Sequence, residues 1–581
     1  MRIGDMLDVL GENSFKVNAY RRAADAIQHL DQDVRAVWQG GDAASPEPVE
    51  AASGVKNLRT IAGVGEAIAS KLDELLRTGE MGYYRELSEQ VPAGVLDILK
   101  VPDVGPKTAA RLWRELNITT LDQLRAAAEQ GQVRQLKGMG EKSEAKILAG
   151  LAALSRKTNR RLISTVYPFA QAVIAQMQET CGSAIHQITY AGSLRRMRAT
   201  IGDLDFLVSA DAAHHADILE AFTKLPRVET VNDHGGTKAS VIADNGLQVD
   251  LRVLEPKHWG CALVYFTGSK QHNIEIRGLA QEQGYTLNEY RFGQNERELF
   301  CETEEEVYQK LGLPWIPPEL REAAGEIEAA RAGALPRLIE LGDLKGDLQT
   351  HSTWSDGQMT IEQMARAAQA RGLKYIAVTD HSSGLGITRG VDATRIKEQW
   401  AEIDALNKRL RGFKVLKGLE LEIRADGSLD MPDEILAQLD ICLASTHTAQ
   451  KQPKEKITAR VVKAMRHPHI DAIAHPTGRL IEEREETALD LAEAMRVAQE
   501  TGTLLEVDGA VERLDLDEVH IRRLKQLGLK TILDSDAHHA DQFETLFYGI
   551  HNARRGWAEA GDVLNTLEWA QLKKHLKRNR R

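Results

Sequence analysis

The stretch AGSLRRMRATIGDLDFLVSA, residues 191–210, decides how the rest of the chain is read. Asp203 and Asp205 stand two apart on a predicted strand, so both carboxylates face one spot. Hard divalent cations such as Mg²⁺ take oxygen ligands in this arrangement, with substrate phosphates completing the shell. A turn at Gly192-Ser193 precedes the pair, and the apolar run around Gln248-Val249-Asp250-Leu251-Arg252 brings a third acid, Asp250. Cations shared by three carboxylates can activate an attacking oxygen and stabilise a leaving pyrophosphate, so the pattern points to nucleotidyl transfer. An Asp-x-Asp pair alone often marks only a capped strand end. The Gly-Ser turn, Arg195, Arg196 and Asp250 set this one apart.

Composition bounds the class without naming the partner. At 581 residues, 42% hydrophobic and 27% charged, the chain divides into about three to five globular domains. Its start, MRIGDMLDVLGENSF, has no basic segment followed by an apolar one, and no apolar run is long enough to span a bilayer. Cys181, Cys261, Cys301 and Cys442 are scattered without a Cys-x-x-Cys, which predicts a reduced, cytoplasmic setting and no cysteine-based zinc site. A net charge of −11 does not advertise nucleic acid. Short basic runs at 156–161 and 573–581 are as compatible with solvated faces as with binding.

Three glycine-punctuated segments answer the charge objection: 61–76, 101–116 and 136–151, with Gly63 and Gly65, Gly105, and Gly138 and Gly140 at their turns. Asp103 replaces the first glycine of the second. Each runs into an amphipathic helix, the helix-hairpin-helix pattern. Glycine permits the tight turn, and free N–H groups at the next helix start grip a phosphate oxygen. Such contacts position a duplex without reading its sequence and do not require a basic protein. Residues 40–55 read as an exposed loop, 160–315 as mixed strands and helices, and the region past 343 as short apolar strands alternating with helices, a barrel-like α/β pattern. Of the 18 histidines, 11 lie after residue 343, mostly at predicted strand ends.

Residues 1–315 resemble the family-X DNA polymerases. The resemblance rests on GSLRR (192–196), GDLD (202–205), VDLR (249–252), YFTGSKQHN (265–273), GYTLNEY (284–290) and, near the start, SFKVNAYRRAADAI (14–27). It implies that Asp203, Asp205 and Asp250 are catalytic and hold Mg²⁺ or Mn²⁺, with Asp250 helping to deprotonate the primer 3′-OH. Gly192, Ser193, Arg196 and Gly202 would bind the triphosphate, and Tyr265, Phe266 and Gly268 would flank the sugar. Asn273 would check the minor-groove edge of the incoming base, where all pairs present acceptors, and Arg277 would contact the template. Lys16, Tyr20 and Lys71 match residues that bind a gap's 5′-phosphate, Lys71 also matching a Schiff-base lysine. Two departures are Ile274, where polymerase beta is basic, and Ala67, basic in members with lyase activity.

The second half, 343–570, resembles the PHP (polymerase and histidinol phosphatase) family. His351, Asp356, His381, Glu420, His447, His475, Asp536 and His538 match its metal ligands, a set suited to Mn²⁺, Zn²⁺ or Fe²⁺. The motif usually begins His-x-His, and its first position here is Gln349. The expected layout is multidomain: a helical lyase-like domain (1–85), a second helix-hairpin-helix subdomain (86–154), an α+β nucleotidyltransferase palm (155–260), a nascent-base-pair subdomain (261–317), a linker (318–342) and a distorted α/β barrel (343–575). The expected function is templated filling of short DNA gaps with a PHP-borne 3′–5′ exonuclease, and abasic-site endonuclease activity beside it. Its partners are gapped or nicked duplex DNA and deoxynucleoside triphosphates, with no membrane, a monomeric chain and a nucleoid-associated place in the cytoplasm. The rivals are an inert structural PHP domain, an untemplated terminal transferase, a DNA-end scaffold and a small-molecule phosphatase.

Overall fold

The computed structural model describes residues 2–579 except 29–33, 40–50, 62, 102–103, 159, 295–296 and 386–387. Most of the loop expected at 40–55, and Asp103 in the second hairpin, lie outside the described residues. Positions 51–55, expected in that loop, instead open the helix Ala51–Leu58.

Up to Thr158 the described residues form helices and turns only. Two apolar cores hold them. One gathers Ala23, Trp38, Leu58, Ile61 and Ala69. The other joins Met6, Leu7 and Val9 to Val95, Ile98, Leu112, Leu124 and Ile147. The helix Arg2–Leu10, expected to group with residues 1–85, therefore buries its apolar face among residues of 86–154, so residue 85 does not divide two cores.

A five-stranded mixed sheet follows, ordered Gln187–Tyr190, Asp203–Ser209, Gln248–Leu254, Lys238–Ala243, Val228–His234. Asp203–Ser209 and Gln248–Leu254 run parallel side by side, which sets Asp205 opposite Asp250. Helices Ile163–Cys181 and His215–Thr223 bury Val166, Ala170, Met177, Leu219 and Phe222 against Leu204, Phe206 and Val249. Arg160 anchors the entry to this layer, its Nε donating to Thr200 Oγ1 at 2.7 Å. The next helix, Trp259–Thr267, comes so close to the loop before Glu304–Lys310 that a Cβ on Gly260 would lie 2.1 Å from the Thr303 carbonyl oxygen.

The Glu304 carboxylate is the centre of this region. It accepts two bonds from Arg195 (2.7 and 2.9 Å), two from Arg321 (2.6 and 3.0 Å) and one from the Trp315 indole at 2.9 Å. Burial would raise its pKa, but Arg321 and Arg195 hold it far below the ordinary carboxylate range. The stretch 318–342, expected as a linker, is packed instead: Glu319, Arg321, Glu326, Ile327 and Ala330 are buried. Two of its acids find arginine partners within the fold, Glu319 with Arg554 and Glu322 with Arg196 and Arg555.

The C-terminal half is built on parallel strands: Gly346–Thr350, Tyr375–Val378, Lys414–Lys417, Glu420–Glu422, Leu443–Ser445, Ala472–Ile473, Leu504–Asp508 and Thr531–Asp534. Parallel bridges Thr350–Ala537 and His381–Glu420 join its two sheets into a barrel. Successive residues feed opposite cores. Ile376, Val415, Ala444, Leu505 and Leu533 pack under the helices. Ala377, Leu416, Leu443, Leu504 and Ile532 pack with Leu564, Leu572 and Leu576 from the chain's end. Burial on both faces explains why these strands read as apolar runs. The basic run from Lys573 is in part a clasp. Lys577 Nζ donates to the carbonyls of Met465 (2.5 Å) and His467 (2.7 Å), and the Arg578 Nε donates to Asp471 at 2.8 Å.

The helix Thr545–Arg555 carries the barrel against the polymerase-like half. Glu319 accepts from Arg554 at 2.7 Å and lies 3.1 Å from His551 Nδ1, while Tyr167 packs on Phe547 and Tyr548.

Glu304→Ala should cost about 3–5 kcal/mol, because it strands two buried guanidinium groups. Scanning calorimetry should show the transition that contains residues 160–340 lowered or split; an unchanged trace would remove Glu304 as the lock.

Candidate active sites

The first site forms at one end of the mixed sheet. The parallel register brings Asp205 beside Asp250, with Asp203 exposed two positions earlier on the same face. Gln248 Nε2 donates to both Asp250 oxygens at 3.1 and 3.3 Å. Burial, then Asp203 and Asp250, push the Asp205 carboxyl up to about 7. Three carboxylates on adjoining strands, two of them raising the pKa of the third, offer the oxygen donors that a divalent ion prefers.

The Gly192-Ser193 turn lies directly against these acids. Gly192 has φ +58°, and a Cβ there would sit 2.4 Å from Asp205 Oδ2, so both conformation and space require glycine. Ser193 follows on the short turn Gly192–Arg195, and Gly202 immediately precedes the strand that carries Asp203 and Asp205. Arg196 is engaged by protein groups, its Nε donating to Glu322 at 3.0 Å and its Nη1 to the Thr267 carbonyl at 2.5 Å. Tyr265 and Phe266 meet edge to face at 5.1 Å, and the Arg252 guanidinium lies 4.7 Å from the Phe266 ring centre. Gly268 has φ +70°, and the peptide bond to Ser269 is cis.

Asn273 is turned inward, its Nδ2 donating to the Tyr265 carbonyl at 2.6 Å and capping the preceding helix. Arg277, four residues on along the same helix, is exposed. The sequence reading quoted Arg252 only as part of a motif and missed Glu304 and Glu322. These acids stand far away in the chain, and only their partners identify them.

In the helical region Lys16, Tyr20 and Lys71 converge on Tyr83, which the sequence reading did not single out. Lys71 Nζ lies 4.7 Å and Lys16 Nζ 5.9 Å from its ring centre, and Tyr20 stacks on it at 6.0 Å. Burial and the neighbouring Tyr83 raise the Tyr20 hydroxyl to about 12. Gly63 and Gly138 have φ +82°. Gly65 and Gly105 cap the helices Glu66–Thr78 and Pro106–Leu116 without a side-chain acceptor, and Gly140 precedes Glu141–Thr158. Their helix-start N–H groups are thereby left for a ligand.

The second site lies at the strand ends of the barrel. His351, Asp356, His381 and His538 can offer one ligand atom each within 4.8 Å of one another, as can His381, Glu420 and His447. His381 belongs to both groups, and Glu420 also lies 3.0 Å from His475 Nε2. His351 Nε2 is 3.1 Å from Asp536 Oδ1. The eight expected ligands thus stand together. His351 is buried and, despite standing 3.1 Å from Asp536, neither of its ring nitrogens makes an aligned hydrogen bond; the same holds for Glu420 Oε2, 3.0 Å from His381 Nδ1. Polar atoms orphaned like this are costly unless something binds them, so the donor set fits divalent metal. His475 and Asp536 adopt φ of +28° and +52°, uncommon backbone that collects at functional sites.

Acids the sequence reading did not pick orient these ligands. Glu422 accepts from the His447 backbone N–H at 3.0 Å and stands 3.1 Å from its Nδ1, directing Nε2 toward Glu420. Asp380 accepts from the Ser352 and Ser355 backbone and hydroxyls and from Gln399, bracing the loop between His351 and Asp356. Gln349 is buried between Asp536 and Glu506: its Nε2 lies 3.4 Å from Asp536 Oδ1, and turning the amide over would let the nitrogen donate to Glu506 instead. In either orientation the side chain serves neighbouring acids at the position where the family motif has imidazole.

Four family models match the chain: a helix-hairpin-helix domain over residues 1–81, a SAM-like helix-hairpin-helix tandem over 95–153, the DNA polymerase beta thumb over 262–322 and the PHP domain over 347–510. The chain is similar to the DNA polymerase/3′-5′ exonuclease PolX of Bacillus subtilis (strain 168), 37% identical over 580 residues that cover 99% of this chain and 97% of that protein. It is also similar to a probable phosphatase of Acetivibrio thermocellus, 31% identical over 201 residues (33% of this chain, 78% of that protein). Rattus norvegicus DNA polymerase lambda is 25% identical over 300 residues (45% of this chain, 48% of that protein).

Asp205 binds its proton more tightly folded than unfolded, so in metal-free protein stability falls as pH rises from 3.8 towards 7. Asp205→Asn should therefore raise the melting temperature at pH 8 and change little at pH 4; an equal shift at both would refute the raised pKa. At the barrel site, a chelator should lower the melting temperature and Mn²⁺ or Zn²⁺ restore it, a response that His351→Ala weakens. Melting insensitive to chelator and metal would exclude a resident ion.

Proposed function

The chain belongs to the PolX family, bacterial-type family-X DNA polymerases that carry a PHP domain, and from that membership we propose that it fills short gaps in duplex DNA with templated deoxynucleotides and trims 3′ ends at the barrel site. The observation that carries the reading is the pair of separate acidic centres: three carboxylates on two adjacent inner strands of the mixed sheet and an imidazole–carboxylate cluster in the barrel.

In the polymerase half, Asp203, Asp205 and Asp250 would hold Mg²⁺ or Mn²⁺, which supplies charge neutralisation and Lewis-acid stabilisation of the departing pyrophosphate. Asp250 accepts the proton of the primer 3′-OH. Ser193, Arg196 and the Gly192 and Gly202 amides hold the triphosphate in line, and Tyr265, Phe266 and Gly268 confine the sugar. Asn273 reads the minor-groove edge, exchanging its bond to the Tyr265 carbonyl for one to the base, and Arg277 steadies the template. The chemistry is then positioning plus electrostatics, with no covalent intermediate. The glycine turns at 63–65, 105 and 138–140 grip the duplex backbone, and Lys16, Tyr20 and Lys71 take the 5′-phosphate of the gap. Abasic-lyase chemistry at Lys71 is a weaker part of the reading, because Ala67 leaves one expected cation missing.

In the barrel half, His351, Asp356, His381, Glu420, His447, His475, Asp536 and His538 would hold Mn²⁺, Zn²⁺ or Fe²⁺ for phosphodiester hydrolysis. A second reading keeps the polymerase and makes the barrel structural. It is favoured by one observation, Gln349 set between Asp536 and Glu506 where the family motif has a ligating histidine. No described helix is long and apolar enough to cross a membrane. A cytoplasmic, nucleoid-associated monomer accompanies this reading.

A one-nucleotide-gapped duplex, labelled at the primer 5′ end and incubated with Mn²⁺, tests both halves. Asp205→Ala should abolish extension while the primer is still shortened, and His381→Ala should do the reverse. Wild type that extends but never shortens the primer would leave the structural reading of the barrel.

A further inference from the structure

Arg196 is tied into a network that crosses between the two halves. Its Nε donates to Glu322 Oε1 at 3.0 Å and its Nη1 to the Thr267 carbonyl at 2.5 Å. The same Glu322 oxygen accepts from Arg198 at 3.4 Å and from Arg555 Nη1 at 3.0 Å. Arg555 belongs to the barrel's helix Thr545–Arg555, and its side chain is only 3% exposed. Its Nη1 also donates to the Arg196 carbonyl at 2.8 Å, and its Nη2 to Glu518 at 2.7 Å. The barrel half therefore touches Arg196 directly at its backbone and reaches its guanidinium through one carboxylate.

The electrostatics favour a fixed arrangement. Burial would raise the Glu322 pKa, but Arg196 and Arg555 hold it below the ordinary value, so the carboxylate stays ionised. A buried Arg555 needs that charge, and its planar fork fixes direction as well as distance. Glu322 in turn orients the planar guanidinium of Arg196, while the Thr267 carbonyl braces the other side. A triphosphate meeting a guanidinium already oriented loses less freedom on binding.

We propose that Glu322 is a positioning residue for Arg196 in nucleotidyl transfer, and that Arg555 of the barrel half holds Glu322 in place, so that the polymerase site's grip on the incoming nucleotide depends on a side chain of the nuclease half. This rests on the reading that Arg196 binds the triphosphate.

The test is single-nucleotide gap filling by the full chain, titrated with the complementary deoxynucleoside triphosphate. Glu322→Gln, Arg555→Met, their double variant, Arg555→Lys and Arg196→Ala are compared. Glu322→Gln and Arg555→Met should each raise KM about tenfold with kcat within about threefold, and the double variant should be no worse than Glu322→Gln alone. Arg555→Lys, which keeps the charge, should recover part of the loss. A merely structural role would lower kcat or the active fraction and leave KM in place. If Arg555→Met does not fold, the near-isosteric Glu322→Gln carries the test. If Arg196→Ala leaves KM unchanged, the reading of Arg196 falls and the inference with it. If Arg196→Ala raises KM but Glu322→Gln and Arg555→Met stay within about twofold, or their effects simply add, the inference alone falls.

Discussion

One carboxylate, Glu304, takes four hydrogen bonds from the guanidinium groups of Arg195 and Arg321, and an indole N–H from Trp315. Removing charges from water is costly, and the cost is offset only when geometry and hydrogen bonding are complete. Here they are, and the consequences spread outward. Arg195 is fixed in the turn that begins at Gly192, so Gly192, Ser193 and Arg196 are placed relative to Asp205. Arg321 is fixed in the chain leaving the thumb-like region, so Glu319 and Glu322 are delivered to the barrel. The same lock that shapes the nucleotide turn thus brings the second half alongside.

The two candidate sites solve the charge problem differently. The sheet site gathers acids: burial first, then repulsion from Asp203 and Asp250, raises the Asp205 pKa, and Arg252 and Arg196 offset this only in part. The barrel site is deeper, and its acids are interleaved with imidazoles: Asp356 is held far below its ordinary value by His381 and His538 despite burial, and His538 is raised to about 9 against the effect of burial by Asp356 and Asp536. Neutral imidazole is the ligating form, so an arriving metal displaces protons from these histidines. The first site leaves its acids largely to one another, whereas the second interleaves them with imidazoles in a donor set that fits divalent metal.

Much of this was legible in the order of residues. The strand period places Asp203 and Asp205 on one face, and the apolar runs beyond 343 mark doubly buried parallel strands with His or Asp at their ends. The glycine turns announced helix starts with free N–H groups. Less visible were Glu422 and Asp380, which touch no ligand and act by orienting those that do, and Glu304, Glu319 and Glu322, which look like ordinary surface acids in a charged stretch. The stretch 318–342 read as a linker because of its prolines and Ala/Glu-rich composition; the arginine partners of Glu319 and Glu322, at 196, 554 and 555, lie over a hundred residues away. The boundary at 85 was misleading for a similar reason, since an amphipathic helix shows that it has an apolar face but not which core receives it.

By itself the sequence determined which groups the chain brings to its sites: paired carboxylates, imidazole–carboxylate motifs and glycine turns at helix starts follow from local spacing, because backbone periodicity sets side-chain direction within an element. Tertiary structure alone decided how those groups are tuned and joined. It set Asp205 against Asp250 through strand register, turned Asn273 inward onto Tyr265, placed Gln349 between Asp536 and Glu506 and put Arg555 beside Glu322. Each depends on contacts between residues distant in the chain, whose partners no local pattern encodes, and on burial, which sets how strongly each charge is felt.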